Sequence, residues 1–234
     1  MAKIGSGSYD LNKWLYGGYE KDVITCFYGG PGTGKTNLCL LVAVSQAKKG
    51  NKVIYLDTEG GFSIDRVKQL IKDKSSQSLN EKNILENILI LRATNFSEQK
   101  KAFNELSKHL NEEASLIIVD GMTMLYRLEL GDARNKNIEE VQKVNSELAR
   151  QMRILVEIAR KKKIPVIVSN QVYSWDGKNE MVGGDILKYW SKCLIELEND
   201  KNRRTIRLRK HRFLGEKSMT FQIYNGGIRK KGWL

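Results

Sequence analysis

Residues Gly29 to Thr36 read Gly-Gly-Pro-Gly-Thr-Gly-Lys-Thr, and no other stretch restricts the fold of this chain so strongly. They satisfy the Gly-x-x-x-x-Gly-Lys-Thr pattern of a phosphate-binding loop, which needs a strand before it and a helix after it. The apolar, β-rich run Val23 to Tyr28 supplies the first, and Asn37 to Lys48 reads as a buried helix. Glycines let backbone N–H groups curl around an anion, and the helix N-terminus behind them favours negative charge. The expectation is a nucleotide site for ATP and Mg²⁺ built from Gly29, Gly30, Pro31, Gly32, Thr33, Gly34, Lys35, Thr36 and Asn37. Lys35 reaches the β- and γ-phosphates, and Thr36 holds the metal.

The 234 residues suit one large α/β domain, so residues 1–234 are read as a single unit. No apolar run is long enough to cross a bilayer and the N-terminus lacks the apolar stretch of a secretory signal, which predicts a cytoplasmic protein. Cys26, Cys39 and Cys193 lie in apolar segments without a Cys-x-x-Cys pair, so they read as reduced core residues. The net charge of +13 predicts attraction to a polyanion. Most of it lies from Lys201 onward, where eleven Lys or Arg face one acid, Glu216.

Strands are predicted at Lys52 to Asp57, Ile88 to Arg92, Leu116 to Asp120 and Ile164 to Ser169, with helices at Ile64 to Lys72 and Glu98 to Leu110. A polar stretch is expected from Asp120 through Asn137. A long helix follows, with Ile138, Val141, Val144, Leu148, Met152, Leu155 and Ile158 on its apolar face. This alternation implies a parallel twisted sheet flanked by helices. Lys192 to Glu198, Arg203 to Lys210 and Lys217 to Tyr224 read as antiparallel strands added at its edge. Asp73 to Asn80 and Val172 to Gly184 are read as loops.

Asp120 ends an apolar strand, the position from which a second metal-orienting carboxylate is presented. The residue after it is Gly121, where many such enzymes carry a glutamate, so a water-activating base must come from elsewhere. Glu59, just past the strand ending at Asp57, is the candidate, because C-terminal strand ends of a parallel sheet share one crevice. Gln171 ends another strand there and is placed to contact the γ-phosphate.

Taken in order, the motifs resemble the RecA-type recombinases, in particular their archaeal RadA and eukaryotic branch, and most closely the short archaeal RadB group. The resemblance rests on Ile4-Gly5-Ser6-Gly7, Leu15-Tyr16-Gly17-Gly18, Gly29 to Thr36, Asp57-Thr58-Glu59-Gly60, Leu116 to Asp120, Ser169-Asn170-Gln171-Val172 and Val182-Gly183-Gly184. It implies a RecA-type ATPase core in which Glu59 activates water, Asp120 serves the metal, Gln171 senses the γ-phosphate and Arg66 lies against adenine. It also implies DNA as partner, single-stranded by preference, together with a full-length recombinase or a Holliday-junction resolvase. The helical N-terminal domain and Phe-x-x-Ala segment of RadA-like recombinases are missing from the pattern, so a RadA-type filament is not expected.

Arg207, Arg209, Lys210, His211 and Arg212 are the candidate DNA contacts, with Arg207, Arg209 and His211 expected on one strand face and Ile206 and Leu208 on the other. Three functions are consistent with the sequence. One is a DNA-binding ATPase assisting recombination and repair, with slow turnover acting as a switch. The others are a nucleotide-bound adaptor working through protein contacts and a KaiC-like regulatory ATPase.

Overall fold

The computed structural model describes residues 2–72, 81–110, 114–175, 178–201 and 203–232, with the backbone alone at 174, 175, 178 and 179. Strand β1 (Lys3–Ile4), helix α1 (Tyr9–Trp14) and strand β2 (Tyr19–Glu20) come first, with β1 and β2 paired antiparallel. β3 (Ile24–Gly29) runs into α2 (Lys35–Ala47), and β4 (Lys52–Asp57) leads to α3 (Ile64–Ile71). α4 (Glu81–Glu86), β5 (Ile88–Arg92), α5 (Phe96–Glu105), a 3-10 turn over Leu106–His109 and β6 (Ala114–Asp120) follow. Two helices, α6 (Met124–Arg134) and α7 (Ile138–Lys162), precede β7 (Val166–Trp175), β8 (Lys178–Met181) and α8 (Gly184–Trp190). β9 (Cys193–Asp200), β10 (Arg203–Lys210), β11 (Lys217–Tyr224) and β12 (Gly227–Lys230) complete the chain.

The main sheet has the order β12-β11-β10-β9-β3-β7-β6-β4-β5, with β8 paired to β7 beside it. β9, β3, β7, β6, β4 and β5 are parallel, while β10, β11 and β12 add on antiparallel. Alternate strand residues enter different cores. Phe27, Tyr55 and Ile118 pack with α2 and α3 on one face, whereas Cys26, Ile54 and Val119 pack with α5 to α8 on the other. Strands buried on both faces read as continuous apolar runs, which is why β3 and β6 are so legible. The expected α/β architecture is therefore present.

Several expectations are corrected. Residues 124–134 form α6 rather than a polar connection: Leu125, Tyr126 and Ala133 turn inward while the charged side chains cover the outside. Ile138 is 77% exposed, since it stands in the first turn of α7, before the helix reaches the sheet. Asn137 starts that helix, its side chain accepting from the Glu140 N–H at 2.9 Å. Val172 to Gly184 is not an open loop, because β7 continues and pairs with β8 from Val172↔Met181 to Trp175↔Lys178. β9 is antiparallel to β10 but parallel to β3, so it extends the parallel part of the sheet. Residues 73–80, read as a loop, lie outside the described residues. Among the described residues no helix is long and apolar enough to cross a membrane.

Candidate functional site

Strand register brings the sequence candidates to one end of the sheet. Gly29 is level with Gln171 on one side and Leu197 on the other, and Asp57 is level with Asp120. Gly29 has φ +155°, and a Cβ there would stand 2.1 Å from the Leu197 carbonyl oxygen, so no larger residue fits where the loop leaves the sheet. The loop then turns into α2 at Gly34, whose backbone is left-handed and whose open side rests against Ile223 and Phe221 of β11.

Lys35 is 8% exposed, and its Nζ donates to the carbonyls of Gly29 and Gly30, each at 2.8 Å. Burial lowers its pKa, an effect opposed by the carboxylates of Glu59 and Asp120. An ammonium held by loop carbonyls, with two carboxylates nearby, sits at the centre of a cradle that suits an anion. Thr33 fastens the same loop by donating to the Gly30 carbonyl at 2.8 Å.

Asp120 is fixed from two sides. Its Oδ1 accepts from Ser169 Oγ at 2.5 Å and its Oδ2 from Tyr55 Oη at 2.8 Å. Tyr55 and Ser169 carry no local sequence signal for this role, since each acts on a residue far away in the chain. A Cβ at Gly61 would lie 3.4 Å from Thr36 Oγ1 and 3.7 Å from Asp120 Oδ2, so hydroxyl and carboxylate converge on one small space. A threonine hydroxyl and one carboxylate fit Mg²⁺, which keeps phosphate oxygens and water as its other ligands. Among the described residues no cluster of three or more His, Cys, Asp or Glu side chains competes as a metal site.

Asp57 organises the turn after β4. Its carboxylate accepts from the N–H groups of Glu59 at 3.2 Å, Gly61 at 3.1 Å and Phe62 at 3.0 Å. We expect Asp57→Ala to cost about 1–3 kcal/mol, seen as a lower denaturation midpoint, because it leaves the buried Phe62 N–H and two partly buried N–H groups without their acceptor. Beside it Thr58 Oγ1 donates to the carbonyls of Asp120 at 3.1 Å and Gly121 at 2.7 Å. The turn thus aims Glu59 at Gln171, whose Nε2 donates to Glu59 Oε1 at 3.0 Å.

The surroundings of Glu59 push its carboxyl above the ordinary glutamate value, mainly by desolvation, while the Gln171 amide pulls it down. A cleft of about 480 Å³ opens beside it, lined by residues that include Asp57, Glu59, Arg92 and Met124. Gly121 has φ +91°, and a Cβ there would be 2.6 Å from Glu59 Cγ and 2.9 Å from Glu59 Oε1. The space that a side chain after Asp120 would fill is therefore occupied by Glu59.

Arg66 is held rather than free-standing. Its Nε donates to Asn37 Oδ1 at 2.9 Å, its Nη2 to the Tyr224 carbonyl at 2.8 Å and its Nη1 to the Asn225 carbonyl at 3.1 Å and Gln69 Oε1 at 2.9 Å. It joins α2, α3 and the β11–β12 turn along the wall next to the loop.

Lys210, His211 and Arg212 lie towards the opposite end of the sheet, since Lys210 is level with Leu194 at the start of β9, whereas Arg207 is level with Glu196 and, through it, with Tyr28 just before the loop. Ile206 and Leu208 face the core as expected, but the register shifts between Leu208 and Lys210, and His211 follows the strand with its side chain 3% exposed. Burial lowers the His211 pKa despite Glu20 at 3.7 Å, so it is neutral near pH 7. Arg207 pairs with Glu198 at 3.0 Å, and Arg209 with Glu196 at 2.6 Å and Glu216 at 3.4 Å. Arg212 pairs with Glu20 at 3.1 Å and Asp22 at 3.3 Å, and Lys210 Nζ donates to the Lys188 carbonyl at 2.7 Å.

The sequence model of the Rad51 family matches residues 1–231. The chain belongs to the Rad51 family. This agrees with the RecA-type resemblance carried by the motifs, and similarity to individual proteins points the same way. The DNA repair and recombination protein RadB of Methanocaldococcus jannaschii is 42% identical over 218 residues, covering 93% of this chain and 98% of that protein. Its counterpart in Methanococcus maripaludis strain C7 is 40% identical over 219 residues, covering 93% and 96%. The solved crystal structure of the RadB recombinase aligns with a TM-score of 0.78 at 32% identity, covering 96% of this chain and 98% of that one.

Proposed function

We propose that this protein is a RadB-like accessory of homologous recombination and DNA repair that binds ATP and DNA and hydrolyses ATP slowly, as a switch. The observation that carries the reading is the convergence of Lys35, Thr36, Glu59, Asp120 and Gln171 at one end of the sheet, in a chain of this family. Lys35 and the loop N–H groups hold the phosphates, with Asn37 and Arg66 walling the adjoining space. Thr36 and Asp120 hold Mg²⁺, which offsets phosphate charge when bound. Glu59 accepts the proton of the attacking water, and its raised pKa makes it a stronger base than an ordinary glutamate. Gln171 is bonded to Glu59 and directly precedes Val172, where the pairing of β7 with β8 begins, so a change at the γ-phosphate is passed to that hairpin through one residue.

DNA contact is assigned to the Lys210 end of the sheet, with Arg209, His211 and Arg212 beside it and Arg207 continuing the basic row along β10 towards the loop. The test is binding of labelled single-stranded DNA across a salt series, without nucleotide, with ADP and with a non-hydrolysable ATP analogue. Affinity should fall steeply with salt, by about 0.7 in log K per log salt for each phosphate contacted, and should rise with the ATP analogue. Lys210→Glu leaves the arginine ion pairs in place and should weaken binding about tenfold on most sequences alike. Absence of binding in every state would overturn the assignment.

The pairing of Arg207, Arg209 and Arg212 with carboxylates favours a second reading, an adaptor that works through protein contacts with a recombinase or a Holliday-junction resolvase. Under that reading nucleotide is structural, and Glu59→Gln leaves function in cells untouched.

A further inference from the structure

Among the described residues, large rings exposed at the end of the sheet opposite the phosphate loop include Tyr189 at 71%, Tyr16 at 70% and Phe213 at 62%, and the last two stand out by their cations. Lys217 Nζ lies 4.3 Å from the centre of the Tyr16 ring and 5.4 Å from that of Trp14, and the Arg212 guanidinium lies 5.6 Å from that of Phe213. An unbroken set of contacts joins the rings. Lys3 Nζ donates to the Tyr16 carbonyl at 3.1 Å, Lys3 pairs across the β1–β2 ladder with Glu20, and Glu20 holds Arg212.

The backbone holds the rings out. Tyr16 has φ +51°, a conformation an aromatic residue rarely adopts, and it precedes Gly17 and Gly18, both also at positive φ. Phe213 follows the buried His211, whose Nδ1 accepts from the Phe213 N–H at 3.1 Å. A single exposed ring is ordinary on a protein surface, as Tyr9 shows; Tyr16 and Phe213 differ in that each carries a cation and the two are joined through Lys3, Glu20 and Arg212, which makes an amphipathic platform. The carboxylates within it, Glu20 and Asp22, are both engaged by Arg212, which leaves Lys3 and Lys217 in excess of acid.

We infer that Tyr16 and Phe213, with Lys3, Arg212 and Lys217 around them, form a stacking platform for single-stranded nucleic acid. The rings take unpaired bases and the cations follow the backbone, which is the chemistry of sequence-tolerant single-strand binding. Duplex bases are already stacked on one another and offer no free face to the rings. The inference rests on the reading of the Lys210 end as a DNA contact and adds to it the strand form and the residues that select it. The platform lies across the sheet from Lys35, so it supplies the share of affinity that persists without nucleotide.

The experiment is fluorescence anisotropy of a labelled oligothymidylate and of a duplex of equal length at low salt, without nucleotide. The proteins are wild type, the double variant Tyr16→Ala/Phe213→Ala and Phe213→Trp. The double variant should lose about tenfold or more on the single strand and less than about twofold on the duplex, with an unchanged thermal melt. Phe213→Trp should keep its affinity, and its added emission should be quenched by the oligothymidylate. If wild type binds but the double variant matches it, or loses as much on duplex, the platform is wrong while the DNA contact stands. If the Phe213→Trp emission ignores the strand, the platform is likewise overturned. If wild type binds neither strand form, the DNA assignment fails and takes the platform with it.

Discussion

Replacing Gly121 by alanine should cut ATP hydrolysis about 100-fold while leaving ATP affinity within a few-fold of wild type. The added methyl would lie 2.4 Å from Thr58 Oγ1 and 2.6 Å from Glu59 Cγ. Thr58 cannot move aside, because its hydroxyl is tied to the carbonyls of Asp120 and Gly121. Glu59 must therefore give way and lose its 3.0 Å bond with Gln171. A displacement of about 1 Å in a catalytic group commonly costs on the order of 100-fold. The left-handed backbone at Gly121 adds a penalty of about 1–2 kcal/mol, so the melting temperature should fall as well. Single-turnover phosphate release, set beside a fluorescent-nucleotide titration, separates these effects. Glu59→Gln should reproduce the loss of hydrolysis without the loss of stability. Wild-type hydrolysis in Gly121→Ala would remove Glu59 from the role of base.

The second large effect is expected at Lys35. Lys35→Ala removes a buried ammonium, and with it charge-assisted bonds worth about 1.5–3 kcal/mol each, so ATP affinity should drop about 100-fold or more. The apo protein should be far less affected, because the same substitution also removes the desolvation cost that lowers the Lys35 pKa. Thermal scans with and without ATP make the contrast visible. Wild type at ATP about 100-fold above its Kd should gain about 2.7 kcal/mol of stability, and the variant almost none. Equal ligand-induced stabilisation of the two proteins would remove the phosphate-loop assignment.

What could be read from the sequence follows from how local each signal is. The phosphate loop, the strand before it and the carboxylates at the ends of β4 and β6 were legible because glycine geometry and apolar runs act within a few residues. α6 was hidden because its charged outer face outweighs the three buried side chains that define it. The supports of Asp120 were illegible: Tyr55 and Ser169 meet it only after three strands have been laid side by side. The basic tail was legible as composition but not as a surface, since Glu196, Glu198 and Glu20 belong to other strands. His211 departed from the expected alternation because of the register shift at the end of β10.

The strand that carries the phosphate loop has a further property. β3 is completed near the beginning of the chain, yet its two neighbours are Val166 to Gln171 and Cys193 to Leu197. A nascent chain therefore displays the whole loop motif long before either flanking strand has been made. Pairings so distant in sequence form slowly and late. Under the proposed function ATP is no early template for folding: the end of the sheet assigned to it is completed only once β7 and β9 exist, and ATP added during synthesis should protect only chains that have passed Leu197.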